Sequence, residues 1–397
     1  MKRSTRLSTL AVATVAALVS ASLPASADTV KIGYITTFTG ESSVNAKDVY
    51  DAWRLALTHL GGKLGGMETQ VITGDDQEKP DTGRQLADQM IERDKVDIIT
   101  GIQLSNVLLA VAKPVTEAGV LLISTNAGPS QLAGAGCSQN FFSASWQNDN
   151  DAEPMGMYLT EQGVKSVYLM GLDYAAGHDK MAGFKRYYKG QVLAEIYTPY
   201  TQLDYSAEIA QLRAAKPEAL FYFYGGASGI AFPKQLDQAG VKSQVKVYAD
   251  MSGMDQSVLP AVGDAALGIQ SAVFWSEFFD NEQNKRFVED FEATYHRIPS
   301  IYAAQGYDTA NLIDSAIRKV GGNMKDKAGL RKALEAADFK SVRGSFKFNQ
   351  NHFPIQDWYL ATAVKDEQGR VVMKPSITIV KDLHDAYASQ CKLPPAN

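Results

Sequence analysis

ALFYFYGGASGIAFPKQL, residues 219–236, decides the fold class. A run of apolar and aromatic residues with no charge stops at Gly225-Gly226, and a helical pattern with Ile230, Phe232 and Leu236 follows. A strand with no polar alternation is covered on both faces, which is the habit of parallel sheets. Such a strand passes through a glycine turn into a helix, and this is one βα unit of an α/β protein.

Working outward, the same unit recurs. VKIGYITT (30–37) precedes a helical pattern with Val49, Trp53, Leu57 and Leu60, and METQVITGDD (67–76) precedes one with Leu86, Met90 and Ile91. KVDIITG (95–101), GVLLIS (119–124), KSVYLMG (165–171), VKVYAD (245–250) and IQSAVFW (269–275) continue the series. The series predicts α/β architecture with doubly wound parallel sheets. It is too long for one ordinary sheet, and SWQNDNDAEP (145–154), dense in acids and amides, interrupts it. Two lobes are therefore expected, with the chain crossing between them there, again near WSEFFDN (275–281), and a third time at NQNHFPIQDW (349–358).

The chain opens with Lys2, Arg3 and Arg6, an apolar stretch from Leu10 to Val19, and Ala25-Ser26-Ala27. This is the pattern of a secretory signal peptide cleaved before Asp28, and the apolar stretch is shorter than the roughly 20 residues of a membrane span. Removing that segment takes away three cations and no acid from a chain of net charge −5. So acidic a surface argues against nucleic acid or anionic membrane partners. The two cysteines, Cys137 and Cys391, lie too far apart for a zinc motif. In an oxidising compartment they would form one disulfide or remain two inert thiols.

In open α/β sheets ligands bind beyond the carboxyl ends of the strands. In the first half those ends carry Phe38, Gln103, Ser105, Asn126, Ala127 and Gly128; Ser105 sits where it would cap a helix whose free amides attract an anion. In the second half they carry Tyr174, Tyr224, Gly226, Ala227, Asp250 and Ser252. Aromatic and small residues at equivalent strand ends suit a cleft with aromatic walls. Catalytic signatures are missing: GGASGI has Ile230 where a G-x-S-x-G elbow needs glycine, the five histidines form no metal pair, and neither nucleotide-binding glycine motif occurs. No enzyme activity, cofactor or metal is expected.

IGYITTFTG, GIQLSN, GVLLISTNAGPSQL, SVYLMGLDYAAGHD, DYSAEIAQLRAAKPEALFYFYGG and YAAQGYDTANLIDSAI, in this order behind a signal peptide, resemble the periplasmic solute-binding proteins of ABC importers, branched-chain amino acid type. The resemblance implies two Rossmann-like lobes joined by three hinge crossovers. The expected segments are a signal peptide (1–27), an N-terminal lobe (28–147 plus 277–350), a C-terminal lobe (148–276 plus 351–385) and a tail (386–397). It also implies a ligand carboxylate held by Ser105, Asn126, Ala127 and Gly128, with Tyr174 and the 224–228 loop closing from the other lobe.

Amino-acid-binding members carry an acid shortly after the Gly-Gly, where it pairs with the ligand ammonium. This chain has Ala227-Ser228-Gly229-Ile230. Burying an ammonium without a counter-charge costs several kcal/mol. NQNHFPIQDWY, SASWQND and the cysteine-bearing tail look most like members that bind aromatic acids. The expectation is a monomeric periplasmic protein that delivers an aromatic acid of benzoate, hydroxybenzoate or cinnamate type to an inner-membrane permease. Phe38, Trp146, Tyr174 and Tyr224 would pack on the ring, and Ser252, Asp250 or Gln103 would bond a ring hydroxyl. A branched-chain amino acid or amide carrier, and a sensory binding protein, are the alternatives.

Overall fold

β-branched and aromatic runs without charges pair into two mainly parallel sheets in the computed structural model, which describes Met1 and residues 29–393. The signal peptide and its cleavage site fall outside the described residues, as do the last four residues of the tail. The first sheet contains β1 (Val30–Thr36), β2 (Lys63–Leu64), β3 (Met67–Asp75), β4 (Ile98–Thr100), β5 (Leu121–Ser124) and β6 (Phe141–Ser143), in the order β2-β3-β1-β4-β5-β6. β1 is central, pairing parallel with β3 (Ile32 opposite Val71) and with β4 (Ile32 opposite Ile98).

The second sheet contains β7 (Ser166–Leu172), β8 (Gln191–Thr198), β9 (Ala219–Phe223), β10 (Lys246–Ala249), β11 (Gln270–Val273), β12 (Lys347–Phe348), β13 (Pro354–Lys365) and β14 (Val371–Leu383). Its order is β12-β13-β11-β10-β9-β7-β8, with β14 added on β13. β9 and β10 are buried along most of their length between helical layers. β13 and β14 run antiparallel and close one edge.

The chain leaves the first sheet after β6 and enters the second through the helix Asn148–Glu161. It returns after β11 to the helices Glu282–Tyr295, Ile301–Lys319 and Lys327–Ala336. The second of these packs on the helix Ser43–His59 beside the first sheet. Gly306 permits that approach, because a Cβ there would lie 2.0 Å from the Val49 carbonyl oxygen. The chain then passes residues 349–353 into β13. This is a two-lobe α/β fold with parallel sheets, as the strand pattern predicts.

Several short or edge strands escape the sequence reading, β2 and β12 at two residues each among them. β6 is only three residues long, and β8 is an edge strand carrying Gln191, Glu195 and a partly exposed face. Ser105 does not cap its helix; it is the first helical residue of Ser105–Glu117, and Leu104 occupies the cap. The helix after β9 begins at Gly226, ahead of Ser228. Cys137 and Cys391 form a disulfide, which draws the tail across to the first lobe. Nearby, the Tyr387 hydroxyl donates to Asp149 Oδ2 (2.8 Å) and Gln350 Nε2 donates to the Ala388 carbonyl (2.6 Å). No helix among the described residues is long and apolar enough to cross a membrane.

Candidate functional site

The carboxyl ends of the two sheets face each other across a cavity of about 450 Å³, its mouth included. The lobes are shut on it by direct bonds. Asn45 Nδ2 donates to Ser257 Oγ (2.8 Å), Ser42 Oγ and the Tyr200 hydroxyl share a bond (2.8 Å), and Ser130 donates through its amide (2.9 Å) and hydroxyl (2.6 Å) to Asp179. The Ala227 amide reaches the Glu41 carbonyl at 3.4 Å.

From the first sheet, the loop after β4 supplies Gln103, Leu104 and Ser105, and the loop after β5 supplies Asn126 and Ala127. The first-turn amides of the helix Ser105–Glu117 have no partner within the helix and give this wall a positive potential. Ser105 Oγ accepts from Asn148 Nδ2 (3.1 Å), which leaves its proton free to donate. The same Asn148 Nδ2 donates to Asp179 (3.0 Å), linking the wall to the lobe-closing contact. Asn126 Nδ2 is spent on the Gln103 carbonyl (2.7 Å). Asn126 Oδ1 and Gln103 Oε1 are buried acceptors without a donor, so a ligand hydroxyl or ammonium is what they lack.

From the second sheet come Leu172 and Tyr174 after β7, Tyr200 after β8, Phe223 and Gly225 at the end of β9, and Ser252 after β10. Tyr174 lies nearly parallel to Phe223 (29°, centroids 6.0 Å apart) and edge-on to Tyr200 (5.3 Å). Trp146 and Tyr302 meet edge-on at 6.3 Å and complete the aromatic lining.

One cation lines the cavity, Lys180 on the helix Ala175–Tyr187. Its side chain is 2% exposed and its ammonium bonds Asp151 and, at 3.0 Å, Asp250. It also sits 4.7 Å from the Phe223 ring centroid and 5.3 Å from that of Trp146. Burial pulls the Lys180 pKa down, but the two carboxylates outweigh it and the group ends above the ordinary lysine value. Burial, and then Asp250 beside it, push the Asp151 carboxyl well above the usual range. The three groups form one buried ion cluster, in which Asp151 Oδ1 has no hydrogen-bond partner.

Seven of the thirteen binding residues expected from sequence line the cavity: Gln103, Ser105, Asn126, Ala127, Trp146, Tyr174 and Ser252. The structure corrects the others. Tyr224 points into the core, where its hydroxyl accepts from Thr198 Oγ1 (3.1 Å) and its ring packs on Phe232; Phe223, one residue earlier, faces the cavity. Period-two alternation allows only one of the two to face inward. Phe38 is 37% exposed and packs edge-on to Tyr50 outside the cavity.

Gly128 is outside the lining, and its carbonyl accepts from the Asn148 amide (2.8 Å) at the start of the first crossover. Gly226 and Ala227 meet Glu41 of the other lobe. Asp250 has both oxygens committed, one to Lys180 and one to the Ser252 amide (2.9 Å). Ala127 lines the wall, but its amide is taken by the Ile102 carbonyl (3.2 Å).

Lys180, Phe223, Tyr200, Tyr302 and Asn148 escaped sequence reasoning. The acids of 145–154 were the available signal for Lys180, because buried carboxylates require a cation. Among the described residues no group of three or more His, Cys, Asp or Glu is placed to hold a metal.

A family model described as "Periplasmic binding protein" matches residues 29–368. The "Leu/Ile/Val-binding protein homolog 6" of Brucella melitensis is 25% identical over 367 residues, covering 89% of this chain and 93% of the relative. A solute-binding protein of an ABC transporter from R. palustris, solved in complex with benzoate, is 28% identical with a TM-score of 0.86, covering 92% of this chain and all of that one. Another from Rhodopseudomonas palustris BisB5, in complex with 3,4-dihydroxybenzoic acid, is 30% identical with a TM-score of 0.83, covering 89% and 98%. With two lobes shut on a cavity and a match over most of its length, the chain belongs to the periplasmic binding protein family, as an ABC transporter solute-binding protein of the Leu/Ile/Val-binding type.

Proposed function

We propose that this protein captures a small aromatic carboxylic acid by lobe closure and delivers it to an ABC permease. The observation that carries the reading is the pairing of the Ser105 helix N-terminus with ring walls from Trp146, Tyr174 and Phe223 in a cavity where the nearby acids are already spent on Lys180. The Ser105 hydroxyl and its helix amides would bind the carboxylate. A ring hydroxyl would satisfy Asn126 Oδ1 or Gln103 Oε1, so hydroxybenzoates fit better than benzoate. Closure would bring residues 28–147 with 277–350 against 148–276 with 351–385. The ligands of the two R. palustris proteins support the choice of ligand class.

A branched-chain amino acid is the second reading, favoured by the same two orphan acceptors, which an ammonium would also satisfy. It leaves the ammonium without a free counter-charge, at a cost of several kcal/mol. Calorimetric titration with benzoate, 4-hydroxybenzoate, 3,4-dihydroxybenzoate and leucine tests both. Binding of the hydroxybenzoates with no leucine response is expected. Tight leucine binding without response to any aromatic acid would overturn the first reading.

A further inference from the structure

Two buried carboxylates, Asp151 and Asp250, converge on one point from the helix Asn148–Glu161 and from the end of β10. Two aromatic faces, Phe223 and Trp146, lie within 5.3 Å of the same point, and both line the cavity. Paired carboxylates and ring faces are the chemistry that recognises a primary ammonium. What occupies the point is the protein's own Lys180 Nζ, on a side chain that is 2% exposed.

We propose that Asp151, Asp250, Phe223 and Trp146 form an ammonium-binding niche that Lys180 fills from within, and that this occupancy is what excludes amines and amino acids from the cavity. Lys180 is thereby a specificity-determining residue. Its tethered ammonium neutralises the acids that a ligand cation would need, and it leaves room only for the anionic and aromatic parts of a ligand. The exclusion of amino acids rests on the aromatic-acid reading of the cavity; the niche itself does not.

Truncation to alanine removes the three outer methylene carbons and the nitrogen of the side chain, a fragment equal to propylammonium. In Lys180→Ala, added propylammonium should raise the melting temperature saturably, while tetramethylammonium at equal ionic strength should not. Lys180→Met, which fills the niche with an apolar chain, should not respond to either. For specificity, wild type should bind 4-methylbenzoate at least about tenfold more tightly than 4-(aminomethyl)benzoate, and Lys180→Ala should narrow or reverse that ratio.

No saturable propylammonium effect in Lys180→Ala, or equal binding of the two benzoates by wild type, would overturn the proposal. If Lys180→Ala does not fold, Lys180→Ala/Asp250→Asn carries less unpaired charge and takes its place; rescue at higher amine concentration is then expected, and its absence counts against the niche. If wild type binds no benzoate at all while propylammonium still rescues Lys180→Ala, the ligand reading falls and the niche stands.

Discussion

The strand ends of the two sheets offer the cavity opposite chemistry. After β4 and β5 stand Gln103, Leu104, Ser105, Asn126 and Ala127, without a charge or an aromatic ring. After β7 and β8 and at the end of β9 stand Tyr174, Tyr200 and Phe223, with Lys180 on the helix that follows β7. The first set offers a helix N-terminus and hydrogen-bonding groups, which suit an anion; the second offers flat apolar surface beside a buried ion cluster, and Trp146 and Tyr302 add their rings from outside both sets. The difference teaches that neither set encloses a ligand alone, since an anion on the first wall would stay in water until the second lobe covered it.

The comparison breaks most completely if closure is prevented. Gly226 has φ +59° and a Cβ there would lie 2.4 Å from the Glu41 carbonyl oxygen. Gly226→Val is expected to weaken ligand binding by roughly 100-fold, because the competent closed form is depopulated. Small-angle scattering with saturating ligand should show the variant still extended.

Testing each wall separately comes next. Ser105→Ala would remove the proposed bond to the ligand carboxylate, and the expected loss is about 1.5–3 kcal/mol in titration calorimetry, for every carboxylate alike. Phe223→Leu keeps the wall apolar but not flat. It should cost about 0.5–1.5 kcal/mol for aromatic acids, while the same change has no reason to discriminate among non-aromatic carboxylates.

The first crossover also sends Trp146 and Asn148 into the cavity lining, but the buried acids of the crossovers bear on stability. Burial pushes Glu153, on the first crossover helix, up to about 7 despite Arg186 beside it, and pushes Glu277, at the second, to about 7 as well. Both folded values lie above the free carboxyl value of 4.5, so their contribution is full below that pH and is lost as pH rises through about 7. The melting temperature should therefore be a few degrees higher at pH 5.5 than at pH 8, and Glu277→Gln should flatten the slope. The smallest effect sharpens the choice between neighbours on β9: Tyr224→Phe should leave ligand affinity unchanged and cost at most about 1 kcal/mol of stability, from the lost Thr198 bond.

Much of the fold was legible because each parallel strand carries its own evidence. ALFYFYGG announces β9 and the turn after it without reference to any other segment. The charge-rich break at 145–154 marks the first crossing in the same local way. β8 was not legible, because an edge strand half exposed to water has no uninterrupted apolar run. Ser105, Gln103 and Asn126 line the cavity, because loops directly after strands face the cleft by topology. On β9 the residue at the cavity is one position from the one expected: Phe223 and Tyr224 are both buried, so their hydrophobicity could not say which of the two faces the cavity.

The sequence by itself determined the two-lobe α/β class, the crossings and the strand-end loops from which the cavity is built. Those follow from local periodicity and from breaks in it. Only the tertiary structure decided that Lys180 closes onto Asp151, 29 positions away, and Asp250, 70 positions away. A lysine on an amphipathic helix reads as solvated until the packing of other elements takes water from it. Burial and pairing of charges are properties of the assembled core, and so they determine the chemistry of this cavity where no single segment could.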